Sequence, residues 1–219
     1  EHGLPYSLQR TGRNTAMIAI IDYRAGNLRS VERALRHLGV ECRITARIDE
    51  IREAGRVIFP GVGAAGKAME TIASLGLDDI ICEVARRGTP FLGICLGTQI
   101  ILDESEEDGA RCLGIIEGVV RRFPDMNEKI PHMGWNTLEK KIDHPLLEGI
   151  EPDAQFYFVH SYYPVPAHSE DAAAYTSYGI RFASMIARGN VAAVQFHPEK
   201  SGRPGLKLLE NFSRWDGRL

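Results

Sequence analysis

The first half of the chain alternates short apolar runs with longer segments in which apolar residues recur every three or four positions. Buried strands are predicted for the apolar runs at 18–21, 57–59 and 91–94. Amphipathic helices are predicted for the segments at 28–38, 64–75 and 80–87. Strands that alternate with helices in this way form parallel sheets, because each helix carries the chain back across one face of the sheet.

The second half of the chain is dominated by strands joined by short loops. Strands are predicted at 115–123, 155–161, 172–177 and 181–187. A last helix is predicted to begin near Pro204, and the acidic run at 104–108 is typical of a solvated helix end that Gly109 closes. We therefore predict one α/β domain over residues 17–219, with a central, mostly parallel sheet, helices on both faces and an antiparallel region in the second half.

The amino-acid composition limits which kinds of binding partner and which cellular compartment are expected for this chain. The 219 residues carry a formal net charge of −3, which gives no reason to expect nucleic acid or an anionic membrane as a partner. No apolar stretch approaches the roughly 20 residues that span a bilayer. Residues 1–16 lack the apolar segment of a secretory signal, so we expect them to be an extension that is mobile or left from an expression vector.

The cysteines do not form a recognisable framework for disulfides or metal. None of them belongs to a C-x-x-C pair, and they stand at Cys42, Cys82, Cys95 and Cys112. A domain of this size does not need disulfides, so we predict a reducing, cytoplasmic location. Histidine and cysteine lack the clustered spacing of zinc ligands, and neither a metal nor a cofactor is expected.

One cysteine has a distinctive local sequence, Gly-Ile-Cys-Leu-Gly at residues 93–97. An apolar run enters this segment, and a segment compatible with a helix, 96–102, leaves it. A nucleophile between two such glycines at a strand-to-helix turn is the nucleophile elbow, because the glycines allow a sharp bend. The positive end of the helix dipole would favour a thiolate at Cys95. Taken alone, the pattern also fits a buried cysteine in a tight turn.

A second pattern, Gln-Phe-His-Pro-Glu at residues 195–199, supplies a candidate base. In an extended segment, His197 and Glu199 would lie on the same side, because they are two residues apart. Glu199 could then orient the imidazole of His197, whose other nitrogen would face Cys95. A solitary His-x-Glu pair is more often a solvated strand end, and the cysteine elbow is what favours a catalytic triad.

Together these segments resemble the class I glutamine amidotransferases, which hydrolyse glutamine at a Cys-His-Glu triad and pass on the ammonia. Residues 57–63 resemble the oxyanion strand of that family, a strand followed by a glycine-rich turn. The catalytic residues that the resemblance implies are Cys95, His197 and Glu199. The backbone N–H groups implied as oxyanion donors are those of Val62, Gly63 and Leu96. The residues implied to hold glutamine are Gly63, Gln99, Ser161 and Tyr162.

Three further segments, 22–28, 131–136 and 157–163, resemble one branch of this family, the glutaminase subunits of imidazole glycerol phosphate synthase. The chain departs from a common family pattern at Arg24, where that pattern has glycine, and at Thr98, where it has methionine. The resemblance implies a heterodimer in which a (β/α)₈-barrel cyclase uses the ammonia to make imidazole glycerol phosphate and AICAR in histidine biosynthesis. The residues implied to lie near that interface are Asn27, Trp135 and Lys200.

The residues leave alternatives open. Related glutaminases feed anthranilate, pyridoxal phosphate or carbamoyl phosphate synthesis, and only the segments around Trp135 and Ser161 separate the chain from them. A stand-alone cysteine hydrolase of the same general fold is a further possibility. A catalytically silent binding module is disfavoured, because such a module has no need to keep all three residues of the triad.

Overall fold

The centre of the molecule is a twisted sheet, seen here in a computed structural model. Within residues 14–24 and 26–219, the part of the chain that the structure describes, this sheet has eight strands. In chain order the strands are β1 (Asn14–Ile21), β2 (Cys42–Thr45), β3 (Ala54–Gly61), β4 (Phe91–Cys95), β5 (Glu104–Ser105), β6 (Ala110–Arg111), β7 (Gly118–Arg122), β8 (His132–Thr137), β9 (Glu139–Lys140), β10 (Gln155–His160), β11 (Tyr162–Pro166), β12 (Ala172–Tyr178), β13 (Ile180–Arg188) and β14 (Val191–Val194).

The helices follow the strands of the first half, and one helix closes the chain. They are α1 (Leu28–His37), α2 (Ile48–Glu53), α3 (Ala65–Ser74), α4 (Asp78–Arg86), α5 (Leu96–Ile100) and α6 (Gly202–Arg214). Short 3₁₀ helices cover Pro145–Leu147, Ser169–Asp171 and Pro198–Lys200. Most of the expected extension at 1–16 lies outside the described residues, whereas its last residues, from Asn14, belong to β1.

The order of strands in the central sheet is β2-β1-β3-β4-β14-β13-β12-β9. The five strands from β2 to β14 are parallel, and β13, β12 and β9 add an antiparallel edge. The predicted parallel sheet with an antiparallel region in the second half is therefore confirmed. Gly61 pairs with Cys95 where β3 and β4 end, so the two predicted site segments leave the sheet side by side.

Both faces of the sheet are covered by apolar side chains, as the prediction of helices on both faces requires. Along β1, Ile18 and Ile20 belong to one buried cluster while Ala19 and Ile21 belong to the other, since successive side chains of a strand point to opposite faces. The first cluster includes residues of α1 and α6, namely Leu28, Val31, Leu35, Leu208, Leu209 and Phe212. The second includes residues of α3 and α4, namely Ala65, Ala68, Ile72, Ile80, Ile81 and Val84.

Two smaller sheets complete the fold. One is the antiparallel pair β8 and β10, in which His132 is opposite His160 and Trp135 is opposite Tyr157. The other has the order β11-β7-β5-β6. Because β10 and β11 are separated only by Ser161, the two small sheets meet at the segment predicted to hold the substrate.

Several sequence-based boundaries were wrong. The acidic run at 104–108 is not a helix end: its first two residues form β5, and Glu107 accepts a hydrogen bond of 2.7 Å from the backbone N–H of Ala65, at the start of α3. The first N–H groups of a helix have no partner within it, and Glu107 supplies an acceptor for one of them. The predicted strand at 115–123 begins only at Gly118, and the helix expected over 96–102 ends at Ile100.

Substitution of Gly97 by alanine is expected to destabilise the fold strongly. A Cβ atom at Gly97 would lie 1.8 Å from the backbone carbonyl oxygen of Phe59, which cannot move without distorting β3. We expect a loss of about 3 kcal/mol or more in the free energy of unfolding, measured with urea. Gly66→Ala is the matched control, since its Cβ meets only the movable side chain of Asp108, at 3.0 Å. Equal stabilities of the two variants would contradict this account of the packing of α5.

Three buried histidines give the fold a second testable property. Burial lowers the pKa of His132 to about 4, that of His144 to about 4 and that of His160 to about 3. An unfolded histidine titrates near 6.5, so the unfolded chain binds more protons than the folded chain between these pH values. The stability contributed by the neutral rings is complete above about pH 6.5 and is lost as the pH falls towards 4.

The free energy of unfolding is accordingly expected to fall between pH 6.5 and pH 4.5. Each of the three histidines contributes at most about 1.4 kcal/mol per pH unit. His144→Asn should reduce the slope by up to that amount, since asparagine does not titrate and its oxygen can still accept the hydrogen bond from Leu146. Urea unfolding across this range measures the slope, and a slope unaffected by the substitution would contradict the assignment.

Candidate active site

The backbone at Cys95 turns sharply where β4 ends and α5 begins. Cys95 has φ of 54° and ψ of −106°, a region that residues with a side chain rarely adopt. It is held there because β4 lies between β3 and β14 in the sheet, and α5 starts at the next residue. Gly97 allows α5 to approach β3 closely, as the contact with Phe59 indicates. The strand-to-helix elbow predicted from the sequence is therefore present.

His197 and Glu199 form a buried pair. Nδ1 of His197 donates a hydrogen bond of 2.8 Å to Oε1 of Glu199, and both side chains are almost completely buried. The extended segment assumed in the sequence argument is wrong, since β14 ends at Val194 and the pair meets across the 3₁₀ turn Pro198–Lys200. A hydrogen bond of 2.9 Å from the N–H of His197 to the carbonyl oxygen of Tyr157 fixes the start of that turn.

The surroundings of His197 favour its protonated form. Burial alone disfavours a charge on the ring, but interactions with Cys95 and Glu199 outweigh it and raise the pKa of His197 above its usual value. Nε2 of His197 is buried and has no hydrogen-bond partner among the described residues. The ring can therefore accept a proton at Nε2 while its Nδ1–H stays bonded to Glu199.

A cavity of about 320 Å³ joins most of the predicted site residues. Small-molecule sites typically begin at this size. The predicted residues that line it are Val62, Gly63, Cys95, Leu96, Gln99, Ser161, Tyr162 and His197. Four residues for which the sequence predicted no role also line it, namely Glu107, Pro131, Val159 and His160. Glu199 does not line the cavity, because it lies behind His197.

Two glutamine side chains connect the wall of this cavity to the cysteine. Nε2 of Gln99 donates to the carbonyl oxygen of Tyr162 at 3.0 Å and to Oε1 of Gln195 at 3.1 Å. Nε2 of Gln195 in turn lies 3.8 Å from Sγ of Cys95. Both N–H groups of Gln99 are thereby used, and its remaining polar atom is Oε1, a hydrogen-bond acceptor. Gln195 belongs to the motif at 195–199, but no function was predicted for it from the sequence.

The residues predicted to face a partner lie in two different environments. The side chain of Asn27 donates to Oε1 of Glu199 instead of capping α1, so it touches the His197–Glu199 pair directly. Trp135 is 54% exposed and packs edge-on against Tyr157, with ring centres 5.9 Å apart. The ammonium group of Lys200 lies 5.9 Å from the centre of the same tyrosine ring.

The described residues show neither a metal site nor a membrane span. Across 14–24 and 26–219, no group of three or more histidine, cysteine, aspartate or glutamate side chains could hold a metal ion. In that same part of the chain, no helix has the length and apolar character needed to cross a bilayer.

The chain is similar to known proteins over most of its length. The family described as glutamine amidotransferase class-I matches residues 19–214. The chain is 56% identical over 203 residues to the imidazole glycerol phosphate synthase subunit HisH of Desulfovibrio desulfuricans, covering 90% of this chain and 93% of that protein. It is 51% identical over 206 residues to the protein of the same name from Nitratidesulfovibrio vulgaris, covering 91% and 96%.

Solved structures agree with the fold. The structure of PurLQS from Thermotoga maritima superposes with a TM-score of 0.71 at 18% identity, covering 90% of this chain and 96% of that one. The sequence relatives extend over nearly the whole chain and share about half of its residues. By these matches, this chain belongs to the class I glutamine amidotransferases and, within them, to the HisH subunits of imidazole glycerol phosphate synthase.

Proposed function

We propose that this chain hydrolyses glutamine through Cys95, His197 and Glu199 and channels the ammonia to a cyclase subunit of imidazole glycerol phosphate synthase. The observation that supports the proposal most directly is that Cys95 and His197 line the same cavity. Cys95 stands at a strained strand-to-helix turn, and His197 is hydrogen-bonded to Glu199. We also propose that the chain works in the cytoplasm, where cysteines stay reduced.

The first half of the reaction forms a thioester. His197 takes the thiol proton at Nε2, and the thiolate of Cys95 attacks the side-chain amide carbon of glutamine. Negative charge moves onto the amide oxygen, where the N–H of Leu96 at the start of α5 and the turn at Val62 and Gly63 can stabilise it. The C–N bond then breaks as His197 returns its proton to the nitrogen, which leaves as ammonia.

The second half restores the enzyme. A water molecule gives a proton to His197 and attacks the thioester carbonyl, and the C–S bond breaks to release glutamate. The proton on His197 returns to the sulfur of Cys95. Throughout both halves Glu199 keeps the ring in one orientation and stabilises its charged form, as the acid member of a triad does.

The ammonia requires a covered exit, because free ammonia would be protonated in water. Trp135 and Met133 are 54% and 61% exposed on the same strand, β8, and Val62 at the cavity is 39% exposed. Met133 and Trp135 are two residues apart on β8 and so share one face, and exposed apolar side chains that lie together are typical of docking surfaces. We propose that a (β/α)₈-barrel cyclase subunit covers this face, with Lys200 and Trp135 at its contact.

The test of this function uses the chain together with a (β/α)₈-barrel cyclase. Cys95→Ser should abolish synthesis of imidazole glycerol phosphate from glutamine, because a serine hydroxyl is a far weaker nucleophile at neutral pH. Synthesis from a high concentration of ammonium at alkaline pH should remain, since the cyclase needs only a source of ammonia. Cys82→Ser is the matched control and should keep the glutamine-dependent rate, because Cys82 is half-buried away from the cavity.

Covalent labelling provides an independent check on the nucleophile. A glutamine analogue with an electrophilic side chain should modify Cys95 and leave the other three cysteines unmodified, as read by mass spectrometry of peptides. Glutamine-dependent synthesis by Cys95→Ser, or labelling at another cysteine, would overturn the proposed role of Cys95. A stable complex containing the wild-type chain that makes imidazole glycerol phosphate from ammonium but never from glutamine would overturn the proposed function.

A separate prediction concerns Asn27, which we propose acts on Glu199 as well as near the interface. Asn27→Ala should lower kcat about 10- to 100-fold, the usual loss when a hydrogen bond to a charged group is removed. Asn27→Asp should be at least as harmful, because it sets a second carboxylate against Glu199. Arg29→Ala, in the first turn of the same helix, is the control and should leave kcat unchanged.

The measurement is glutaminase activity at saturating partner, with the affinity of the complex determined separately. A change in affinity with an unchanged kcat would show that Asn27 acts only through docking. A fall in kcat with unchanged affinity would show that it acts through Glu199.

A further inference from the structure

Two histidines outside the proposed triad are paired beneath the cavity. His132 of β8 lies opposite His160 of β10, and Nδ1 of His132 is 3.0 Å from Nε2 of His160. The other nitrogen of His160, Nδ1, is 2.8 Å from the carbonyl oxygen of Tyr162. His160 also lines the cavity, so this pair connects the small β8–β10 sheet to the predicted substrate site.

The hydrogen-bond partners determine where each proton lies. The carbonyl oxygen of Tyr162 can only accept, so Nδ1 of His160 must carry a hydrogen. In a neutral ring, Nε2 of His160 then carries no hydrogen and acts as an acceptor. Nδ1 of His132 must therefore carry a hydrogen and donate it to Nε2 of His160. Nε2 of His132 is left as an acceptor, and the side-chain N–H₂ of Asn136 approaches it at 3.4 Å. All the hydrogen bonds therefore point from Asn136 towards Tyr162.

The surroundings keep both rings neutral. His132 is sandwiched between Phe158 and Tyr178, with ring centres 4.8 Å and 4.0 Å away. His160 packs against Phe123 and Phe182, each about 5.2 Å from it. A charge in this apolar cluster is costly because water is excluded. Accordingly, burial lowers the pKa of His132 to about 4 and that of His160 to about 3.

The carbonyl oxygen of Tyr162 links these bonds to the cavity wall. The carbonyl oxygen of Tyr162 accepts both from His160 and from Nε2 of Gln99. Gln99 also donates to Gln195, whose own Nε2 faces the sulfur of Cys95. The amide of Gln99 therefore has one favoured orientation, with its N–H₂ held by protein acceptors and Oε1 as its free acceptor.

We propose that the neutral His132–His160 pair is a positioning relay that fixes the carbonyl of Tyr162 and, through it, the Gln99 amide that receives the α-ammonium group of glutamine. The proposal rests on the proposed glutaminase function for the identity of the ligand. An α-ammonium group has only donors, so it needs the oxygen of Gln99 and is repelled by its N–H₂. Neither histidine touches the reacting amide, so both are positioning residues.

Loss of the relay should affect binding of the substrate more than its turnover. Without the donor from His160, the carbonyl of Tyr162 is less constrained and Gln99 loses its preferred orientation. The ground state and the transition state share the α-ammonium contact, so its loss raises KM while kcat changes little. A residue that merely filled the core would instead lower thermal stability without a selective effect on KM.

The variants are His160→Phe, His160→Asn and His144→Phe, studied in the full chain bound to its cyclase partner. Phenylalanine keeps an aromatic ring in the cluster but has no donor, and we expect glutamine KM to rise about three- to tenfold, the usual effect of one hydrogen bond. Asparagine keeps an N–H near the position of Nδ1, so it should restore KM to within about twofold of the wild-type value.

His144→Phe is the matched control, because His144 is an equally buried histidine that packs on Trp215 and does not line the cavity. It should lower the melting temperature as His160→Phe does, yet leave KM unchanged. A KM for His160→Phe equal to that of wild type, in a folded complex, would overturn the relay. An equal rise of KM in His144→Phe would overturn it too, since the effect would then come from general loss of stability.

A measurement of glutamine affinity separates this proposal from the function on which it rests. Calorimetry is done with chains that carry Cys95→Ser in addition to each substitution, so that glutamine is not hydrolysed during the measurement. If the wild-type chain bound glutamine but never hydrolysed it, the proposed function would be contradicted. Even then, a weaker affinity for glutamine in His160→Phe would support the relay. Chain with Cys95→Ser that does not bind glutamine at all would contradict both. Nitrogen-15 NMR should also find both His132 and His160 neutral with hydrogen on Nδ1 at pH 7, and any other tautomer would overturn the relay.

Discussion

The constraint on which the site depends is the backbone conformation of Cys95. A residue with a side chain at φ of 54° is costly in isolation, so it persists only where the surrounding structure leaves no alternative. Here β3 and β14 hold β4 on both sides, and α5 starts immediately after the cysteine. Gly97 is the residue that permits this, since any larger side chain would collide with the backbone of β3. Cys95 can therefore hold this conformation only where β4 is paired with β3 and β14.

Electrostatic interactions impose a second requirement on the same region. The side chain of Glu199 is fully buried, and its Oε1 is held by both His197 and Asn27 while its Oε2 has no partner among the described residues. A buried carboxylate is tolerated only when it is paired and hydrogen-bonded. Burial disfavours a charge on His197, but its interactions with Cys95 and then with Glu199 raise the pKa of the ring, so a proton there compensates the charge of Glu199. Each of the two buried charges is therefore stable only while the other is present.

Local sequence patterns were sufficient to predict those features that depend on residues close together in the chain. The elbow at Cys95 follows from two glycines and an apolar strand, and the parallel sheet follows from the alternation of strands with helices. The contact between Asn27 and Glu199 could not be predicted, because it joins residues 172 positions apart. The pairing of His132 with His160 depends on the register of β8 and β10, which no local pattern specifies. The short strand β2 and the helix α2 were missed for a different reason: their few residues carry too little periodicity.

The alternation of side chains along β8 has a consequence for how such a protein can change over evolution or by design. His132 points into the aromatic cluster and Asn136 reaches back to it, whereas Met133 and Trp135 project outward. On the proposed docking face, selection for a different partner can therefore act on the odd-numbered positions of this strand while the even-numbered ones stay unchanged. Exchange of the whole strand with that of a distant relative would change the outward-facing residues and the residues packed in the aromatic cluster at the same time. Engineering of new subunit pairs should accordingly proceed residue by residue along one face of β8.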